Sequence, residues 1–243
     1  MAGTLNLKSN PQLNSQEQKI VDRLIETEAL KFGEFRLKSG RLAPFFLNVG
    51  DLGAGRELAM IADAYTTLIR REFASETGEL HFDVLYGPTY KSIPLVAAIA
   101  MRLLERFSRN VRYCADCREI KKRDDSEVLL GGPLNEGDRV LIIGDVTTSG
   151  RTIDDAVPFL EKQKAQAVGE IILLDRRERA EGTPEFALET TAKKYGFPVR
   201  AFLSMDKVIE YLYHGRGARH GIINNDLYQK LLEYYEQYGG RII

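Results

Sequence analysis

Asp145 is the residue at which an apolar run gives way to a cluster of hydroxyl side chains. The run Val-Leu-Ile-Ile occupies residues 140–143, Gly144 follows it, and Val-Thr-Thr-Ser-Gly-Arg-Thr occupies residues 146–152. Such a loop can present backbone N–H groups and hydroxyls to a phosphate, especially where a helix begins directly after it. The carboxylate of Asp145 repels a phosphate, so its partner must be hydroxyl groups or a metal. A ribose 5-phosphate offers both a phosphate and hydroxyl groups and fits this pair of features.

Two interpretations of this stretch remain open from the residues alone. The GxxxxGK[ST] spacing of a Walker loop is absent, so the phosphate interpretation depends on composition and on position. In open parallel sheets, ligands bind beyond the carboxyl ends of the strands, which is where this loop is expected to lie. The alternative is a plain strand-to-helix turn in which threonine and serine side chains cap the helix.

The composition is that of an ordinary globular protein and disfavours two classes. Of the 243 residues, 44% are hydrophobic and 28% are charged, which suits one domain with a smaller appendage. The 34 Lys and Arg residues balance 35 Asp and Glu residues, so no basic surface for nucleic acid is expected. No apolar run approaches the ~18–20 residues that cross a bilayer, and the N-terminal stretch lacks the apolar core of a signal peptide. We therefore expect a cytoplasmic protein without a membrane partner.

The two cysteines, Cys114 and Cys117, have the spacing of half a zinc site or of a redox pair. The three histidines, His81, His214 and His220, have no spacing that would complete a zinc site. We interpret the cysteines as ordinary thiols.

Short apolar runs alternate with longer helical patterns in the central part of the chain. Runs that are apolar throughout are typical of strands buried on both faces, and their alternation with helices predicts a parallel sheet. Pro158 interrupts the second helical pattern, so we expect a kink or a later start there. The predicted strands are residues 82–86, 111–115, 139–145, 170–175 and 199–204, and the predicted helices are residues 92–107, 152–167 and 184–196.

The two ends of the chain have different patterns. Residues 16–30 are helical in pattern, residues 31–50 alternate like short antiparallel strands, and a second helix is expected over residues 55–73. Residues 227–239 predict an amphipathic helix with tyrosines on one side. The predicted parts are an N-terminal helix and hood (1–80), an α/β core (81–205) and a C-terminal helical segment (206–243).

Four stretches resemble the orotate phosphoribosyltransferase family, a branch of the type I phosphoribosyltransferases. VLIIGDVTTSGRT (140–152) is similar to the phosphoribosyl-pyrophosphate motif of the superfamily, which does not identify the acceptor base. The stretches that point to orotate are LKFGEFRLKSGRLAPFF (30–46), FDVLYGPTYKSIPL (82–95) and LLDRRERAEG (173–182). The resemblance is good over residues 20–182 and weak beyond about residue 205.

The resemblance implies an α/β fold of the type I phosphoribosyltransferase kind, with a central parallel sheet, flanking helices and a small N-terminal hood. It implies transfer of a phosphoribosyl group from phosphoribosyl pyrophosphate to orotate, giving orotidine 5′-monophosphate and pyrophosphate in pyrimidine synthesis. The cofactor implied is Mg²⁺, held mainly by the substrate. A homodimer with shared active sites is also implied.

Carried over residue by residue, the resemblance implies two binding sets and a catalytic pair. Arg176 offers a fork that suits a carboxylate or an imide edge, and an ion pair with Glu178 is the alternative. Phe46 offers a flat wall for a pyrimidine, with core packing as the alternative, and Lys91 is alternatively a surface lysine. For orotate the implied residues are Lys38, Phe46, Leu47, Thr148 and Arg176. For phosphoribosyl pyrophosphate they are Tyr90, Lys91, Arg118, Lys121, Arg123, Asp145, Thr147, Thr148, Ser149, Gly150, Arg151 and Thr152, and for catalysis Lys121 and Asp145.

Two departures from the family pattern bear on turnover. The family usually has two consecutive acids at the end of this strand, whereas residue 144 is glycine. In the charged stretch over residues 118–130, aligning the family loop on Glu119 places Cys117 and Arg123 where the family has arginine and histidine. Arginine does not release a proton near neutral pH, so charge stabilisation remains there without acid–base chemistry. Because an acid is missing, we expect Gly144→Asp to tighten binding of phosphoribosyl pyrophosphate, unless the pleat aims residue 144 away from the ligand.

Three functions remain open from the sequence. The leading interpretation is an orotate phosphoribosyltransferase, and the second is the same fold acting on another base, such as a purine. The third is a regulator of the same fold that binds a sugar phosphate or a nucleotide without turnover, which Gly144 and Cys117 favour.

Overall fold

A central, mostly parallel sheet with helices on both faces dominates the protein, which a computed structural model describes over residues 12–37, 40–116, 129–147, 151–215 and 220–240. The strands are β1 (Leu30–Arg36), β2 (Leu42–Leu47), β3 (Val84–Gly87), β4 (Arg112–Asp116), β5 (Leu129–Gly131), β6 (Arg139–Ile143), β7 (Val146–Thr147), β8 (Gln166–Asp175) and β9 (Val199–Ser204). The helices are α1 (Ser15–Glu26), α2 (Gly55–Glu72), α3 (Ser92–Phe107), α4 (Arg151–Lys162), α5 (Ala187–Tyr195), α6 (Met205–Tyr213) and α7 (Asn225–Tyr238), with a 3₁₀ turn at Val49–Asp51.

The sheet confirms the predicted α/β fold class. Strands β5, β4, β3, β6, β8 and β9 follow one another across it, and β7 pairs with the later part of β8. All of these pairings are parallel except that between β4 and β5. The apolar run Val140–Ile143 forms β6, and each of its residues is fully buried, as expected for a strand covered on both faces.

The two faces of the sheet pack against different helices. Leu141 and Ile143 belong to the larger core, which also contains α2 and α3, and their neighbours Val140 and Ile142 belong to a smaller core with α4. Helix α4 begins at Arg151 and continues through Pro158, so the proline does not mark a later start. The helix tolerates the lost backbone hydrogen bond because its apolar face is buried against the sheet.

The N-terminal region folds as a helix and a two-stranded hairpin, as its alternating pattern predicts. Strands β1 and β2 pair antiparallel, with a shift in register between Phe32 and Phe35. Gly33 lies in this bulge with φ +154°, a conformation that favours glycine. We call this hairpin, residues 30–47, the hood.

The C-terminal helix returns to the hood. The rings of Tyr234 and Tyr235 on α7 lie 6.1 Å and 6.5 Å from the ring of Phe45 on β2, measured between centroids. The hood and α7 therefore share one hydrophobic core, and the tyrosine side of the predicted helix is its buried side. Within the described ranges, no helix is long and apolar enough to span a bilayer.

A buried tyrosine ties α2 to the end of β6. The Tyr65 side chain is fully buried, and its hydroxyl donates a 2.5 Å hydrogen bond to the carbonyl of Gly144. Burial raises the pKa of Tyr65 well above its ordinary value, and the nearby negative charges of Asp145 and Glu170 act in the same direction. The hydroxyl therefore remains protonated and available as a donor.

We expect Tyr65→Phe to lower the free energy of unfolding by about 1–3 kcal/mol, because the Gly144 carbonyl would be left buried without this donor. Urea denaturation measures the change. Tyr113→Phe is the control, because the Tyr113 hydroxyl bonds to no described residue, and its effect should stay within about 0.5 kcal/mol. Equal urea midpoints for the Tyr65 variant and the wild type would contradict the proposed role of this bond.

Candidate active site

Part of the predicted site lies outside the described residues. These residues are Lys38, Cys117, Arg118, Lys121, Arg123, Thr148, Ser149 and Gly150. For Thr147 and Arg151 the structure describes the backbone only: the first ends β7 and the second begins α4. Thr152 is exposed in the first turn of α4. The roles of all these residues stay predictions from the resemblance.

The carboxyl ends of three neighbouring strands form one edge of the sheet. Strand β6 is parallel to β3 on one side and to β8 on the other. The segments that follow these strands contain Tyr90 and Lys91 after β3, Asp145 after β6, and Arg176 after β8. Helix α4 begins shortly beyond Asp145, so the structure brings an acid and a helix N-terminus to the same edge.

Asp145 is held by its backbone and keeps one carboxylate oxygen available. Its carbonyl accepts a 3.0 Å hydrogen bond from the Leu173 N–H on β8, and its Oδ1 accepts a 2.8 Å hydrogen bond from the Val146 N–H. Its Oδ2 has no hydrogen bond to a described residue, and the side chain is half-buried. A partner with hydroxyl donors suits this oxygen.

Lys91 connects the end of β3 with the end of the hood. Its Nζ donates a 3.1 Å hydrogen bond to Oδ1 of Asn48, the residue directly after β2. Tyr90 beside it is 51% exposed. Both residues line a cavity of about 440 Å³ together with Val49, Gly50 and residues 52–55, whereas Asp145 is not among its lining residues. The cavity therefore lies beside two of the residues that the sequence assigns to pyrophosphate, and that role stays a prediction.

The two residues of β2 predicted to bind orotate differ in exposure. Phe46 is 38% exposed and stacks on Phe35 of β1, with ring centroids 5.6 Å apart. Leu47 is buried in the large core, as strand alternation requires for a neighbour of an outward-facing residue. Phe46 therefore keeps a face free for a ligand, and the side chain of Leu47 packs inside the hood.

Arg176 forms the ion pair with Glu178 that the sequence left open. Its Nε donates a 2.8 Å hydrogen bond to Glu178 Oε1, and the guanidinium carbon lies 4.1 Å from the centre of the Phe45 ring. Only 2% of the residue is exposed. Nη2 of the same guanidinium forms an ion pair with Glu178 Oε1 at 2.7 Å. The contact between Arg176 and orotate stays a prediction. The guanidinium group that would make it is held in place by Glu178 and Phe45.

Glu178 was considered in the sequence only as a partner of Arg176, yet it joins three parts of the molecule. Its Oε2 lies 2.7 Å from Nη2 of Arg41 in the hood, and its Oε1 accepts a 2.6 Å hydrogen bond from the Tyr234 hydroxyl on α7. The Tyr235 hydroxyl donates to the Arg176 carbonyl at 2.8 Å. No sequence signal linked Arg41 and the two tyrosines to this acid, because they are distant in the chain.

The effect of Gly144→Asp on binding stays a prediction, and the structure shows where a side chain at position 144 would lie. A Cβ at position 144 would lie 3.1 Å from Ile172 Cγ2 and 3.3 Å from Glu170 Oε1, so it would point at β8. An aspartate there would crowd the isoleucine and set one carboxylate against another. We therefore expect this substitution by itself to weaken binding.

We expect Glu178→Gln to lower the free energy of unfolding by about 3–5 kcal/mol, because two arginines would lose the only acid they share in this buried cluster. Chemical denaturation measures the loss. Glu136→Gln is a matched control, since Glu136 pairs with Lys164 on the surface with 74% of its side chain exposed. The control should cost no more than about 1 kcal/mol. Equal losses of unfolding free energy in the two variants would show that Glu178 stabilises the fold no more than a surface ion pair does.

Comparisons with known proteins agree with this geometry. Residues 54–197 match the family described as the phosphoribosyl transferase domain. The orotate phosphoribosyltransferase of Clostridium beijerinckii is 38% identical over 94% of this chain and 100% of that protein, and that of Lachnoclostridium phytofermentans is 37% identical over 93% and 99%. The solved structure of the Francisella tularensis orotate phosphoribosyltransferase superposes with a TM-score of 0.74 at 30% identity, over 91% of this chain and 100% of that one. This chain therefore belongs to the orotate phosphoribosyltransferase family.

Proposed function

We propose that this protein transfers the phosphoribosyl group of phosphoribosyl pyrophosphate to orotate, forming orotidine 5′-monophosphate and pyrophosphate in pyrimidine synthesis. Relatives that bear the name orotate phosphoribosyltransferase and match over nearly their whole length support this activity. The observation that carries it is the position of the hood. Contacts from Lys91 to Asn48 and from Arg176 to Phe45 tie the hood to the ends of β3 and β8. The hood, with its exposed aromatic face, is thus tied to the two strand ends on either side of the strand that Asp145 follows, which suits joining a planar base to a sugar phosphate.

The charges that develop in the reaction indicate a role for each of the predicted site residues. The bond from ribose to pyrophosphate breaks while positive charge develops on the ribose, and a bond to a ring nitrogen of orotate forms. Asp145 accepts hydrogen bonds from the ribose hydroxyls, and the loop over residues 147–152 with the start of α4 binds the 5′-phosphate. Phe46 supplies a flat wall for orotate. Cations stabilise the charge on the departing pyrophosphate: Lys91, Arg118, Lys121 and Arg123.

Mg²⁺ is part of the proposal as a cation held mainly by oxygens of the substrate. Within the described residues, no group of three or more His, Cys, Asp or Glu side chains is placed to hold a metal. Mg²⁺ is usually bound through substrate phosphates and one or two carboxylates. When bound, it neutralises part of the pyrophosphate charge.

We also propose a homodimer with shared active sites, acting in the cytoplasm on small-molecule substrates. An apolar stripe on α3 supports the dimer: Met101 is 61% exposed and Leu104 52% exposed, and Pro94 is exposed on the same side of the helix. Neighbouring exposed apolar residues of this kind mark protein contacts. The cytoplasmic location is inferred from the composition of the chain.

The test of the function is consumption of orotate in the presence of phosphoribosyl pyrophosphate and Mg²⁺. We expect turnover in the wild type, and we expect Lys121→Ala to lower kcat by about 100-fold or more with a smaller change in KM, because it removes a cation that stabilises developing charge. Lys230→Ala on α7 is the control lysine and should leave kcat unchanged. If the protein binds phosphoribosyl pyrophosphate but forms no product, the transferase interpretation would be rejected in favour of a regulator that binds without turnover.

We expect the double variant Met101→Glu and Leu104→Glu to be monomeric and to lose most activity, because four charges would face one another across a symmetric contact. Light scattering after size-exclusion chromatography gives the mass. Gln237→Glu, on the exposed side of α7, should leave the dimer intact. A double variant that still has the mass of a dimer would exclude this stripe as the interface.

A further inference from the structure

Glu170 is a buried acid in the middle of β8, a strand whose first and last residues are polar and whose remaining residues are apolar. It lies on β8 between Gly169 and Ile171 and is only 4% exposed. Its carboxylate makes no hydrogen bond or ion pair with any residue in the described part of the chain. A buried carboxyl without a partner is costly, so its presence at this position calls for a reason.

The carboxyl of Glu170 occupies the space beside Gly144. Glu170 is in register with Ile142 on β6, so both side chains lie on the face of the sheet that residue 144 also faces. The Glu170 Oε1 atom lies 3.3 Å from the point where a Cβ of residue 144 would be. A glycine at position 144 leaves room for this carboxyl, and any larger residue would push it away.

The same carboxyl is electrostatically coupled to Asp145. Burial, and then the negative charge of Asp145, raise the pKa of Glu170 to about 7. The backbone of Asp145 is fixed to β8 through the Leu173 N–H, so the two acids keep a constant relation to each other. Two neighbouring carboxyls in a poorly solvated position favour a ligand that brings hydrogen-bond donors or positive charge.

We propose that Glu170 supplies, from the neighbouring strand, a second carboxyl to the sugar-binding end of β6, and that it acts through Asp145 when the hydroxyls of a phosphoribosyl group are recognised. The inference rests on the proposed function, because that function puts the ribose at Asp145. Glu170 acts as a positioning residue: its carboxyl lies beside the strand end that carries Asp145, in the space of the side chain that Gly144 lacks.

The decisive variant is Glu170→Gln, which keeps the size of the side chain and removes its charge. Calorimetry with phosphoribosyl pyrophosphate and Mg²⁺, in the absence of orotate, measures binding without turnover. We expect the dissociation constant to rise about tenfold or more, because the carboxyl that acts on Asp145 is lost. In turnover assays, KM for phosphoribosyl pyrophosphate should rise while KM for orotate changes less than about twofold. Unchanged binding in a folded Glu170→Gln protein would overturn the proposal.

Moving the acid provides a second, independent test. Glu170→Ala should weaken binding, and adding Gly144→Asp to it should restore part of the affinity, because the carboxyl then stands at the neighbouring position with its space cleared. A double variant that binds no better than Glu170→Ala counts against the proposal. Asp83→Asn is the control. Asp83 pairs with Arg139 where β3 and β6 begin, at the edge of the sheet opposite the site, so this substitution should not affect binding.

The binding measurement separates this proposal from the proposed function. A wild-type protein that binds phosphoribosyl pyrophosphate but does not consume orotate would refute the transferase, and the Glu170 comparison would still be decided by calorimetry. A wild-type protein that does not bind the sugar pyrophosphate at all would overturn both.

Discussion

The buried carboxylate of Glu178 is the interaction on which the arrangement of the site depends. It receives Arg176 from the end of β8, Arg41 from the hood and the Tyr234 hydroxyl from α7. Each partner comes from a different part of the chain, so this one acid sets where the hood and the C-terminal helix stand relative to the sheet. Such a cluster needs all its partners, because an arginine left alone in this position would be a buried, uncompensated charge.

Contacts with that cluster hold the hood in its orientation. Phe45 faces inward, with its ring against Arg176 and the tyrosines of α7, and strand alternation then turns Phe46 outward. The exposed ring suited to a planar base is thus a consequence of the buried ring beside it. On the other side, Lys91 fastens the end of the hood to the loop after β3. The base and pyrophosphate parts of the site are held by contacts that lie outside the β6 loop.

The end of β6 is set by constraints from both faces of the sheet. Tyr65 binds the Gly144 carbonyl from the α2 side, β8 binds the backbone of Gly144 and Asp145, and Glu170 fills the space beside the glycine. The departure from the family pattern at position 144 therefore has a structural counterpart on the next strand. A missing acid in one strand and an unusual acid in its neighbour are a single feature of the packing.

The sequence by itself determined the class of fold and the composition of the strand end. Apolar runs such as Val140–Ile143 can be covered only as strands buried on both faces, and the helical patterns between them require a parallel sheet. The alternation in the hood likewise predicted an antiparallel hairpin, because that signal is local. The acid at the end of β6 could be recognised for the same reason.

Only the tertiary structure decided which groups meet. Arg41 and Tyr234 reach Glu178 from positions 137 and 56 residues away in the chain, and no local pattern encodes such contacts. The direction in which a side chain at position 144 would point depends on the pairing of β6 with β8. The glycine, which the sequence analysis treated as a missing acid, leaves space for the Glu170 side chain. The periodicity of apolar residues indicates which face of a helix or strand is buried. Which residue of another element that face contacts depends on how the elements pack.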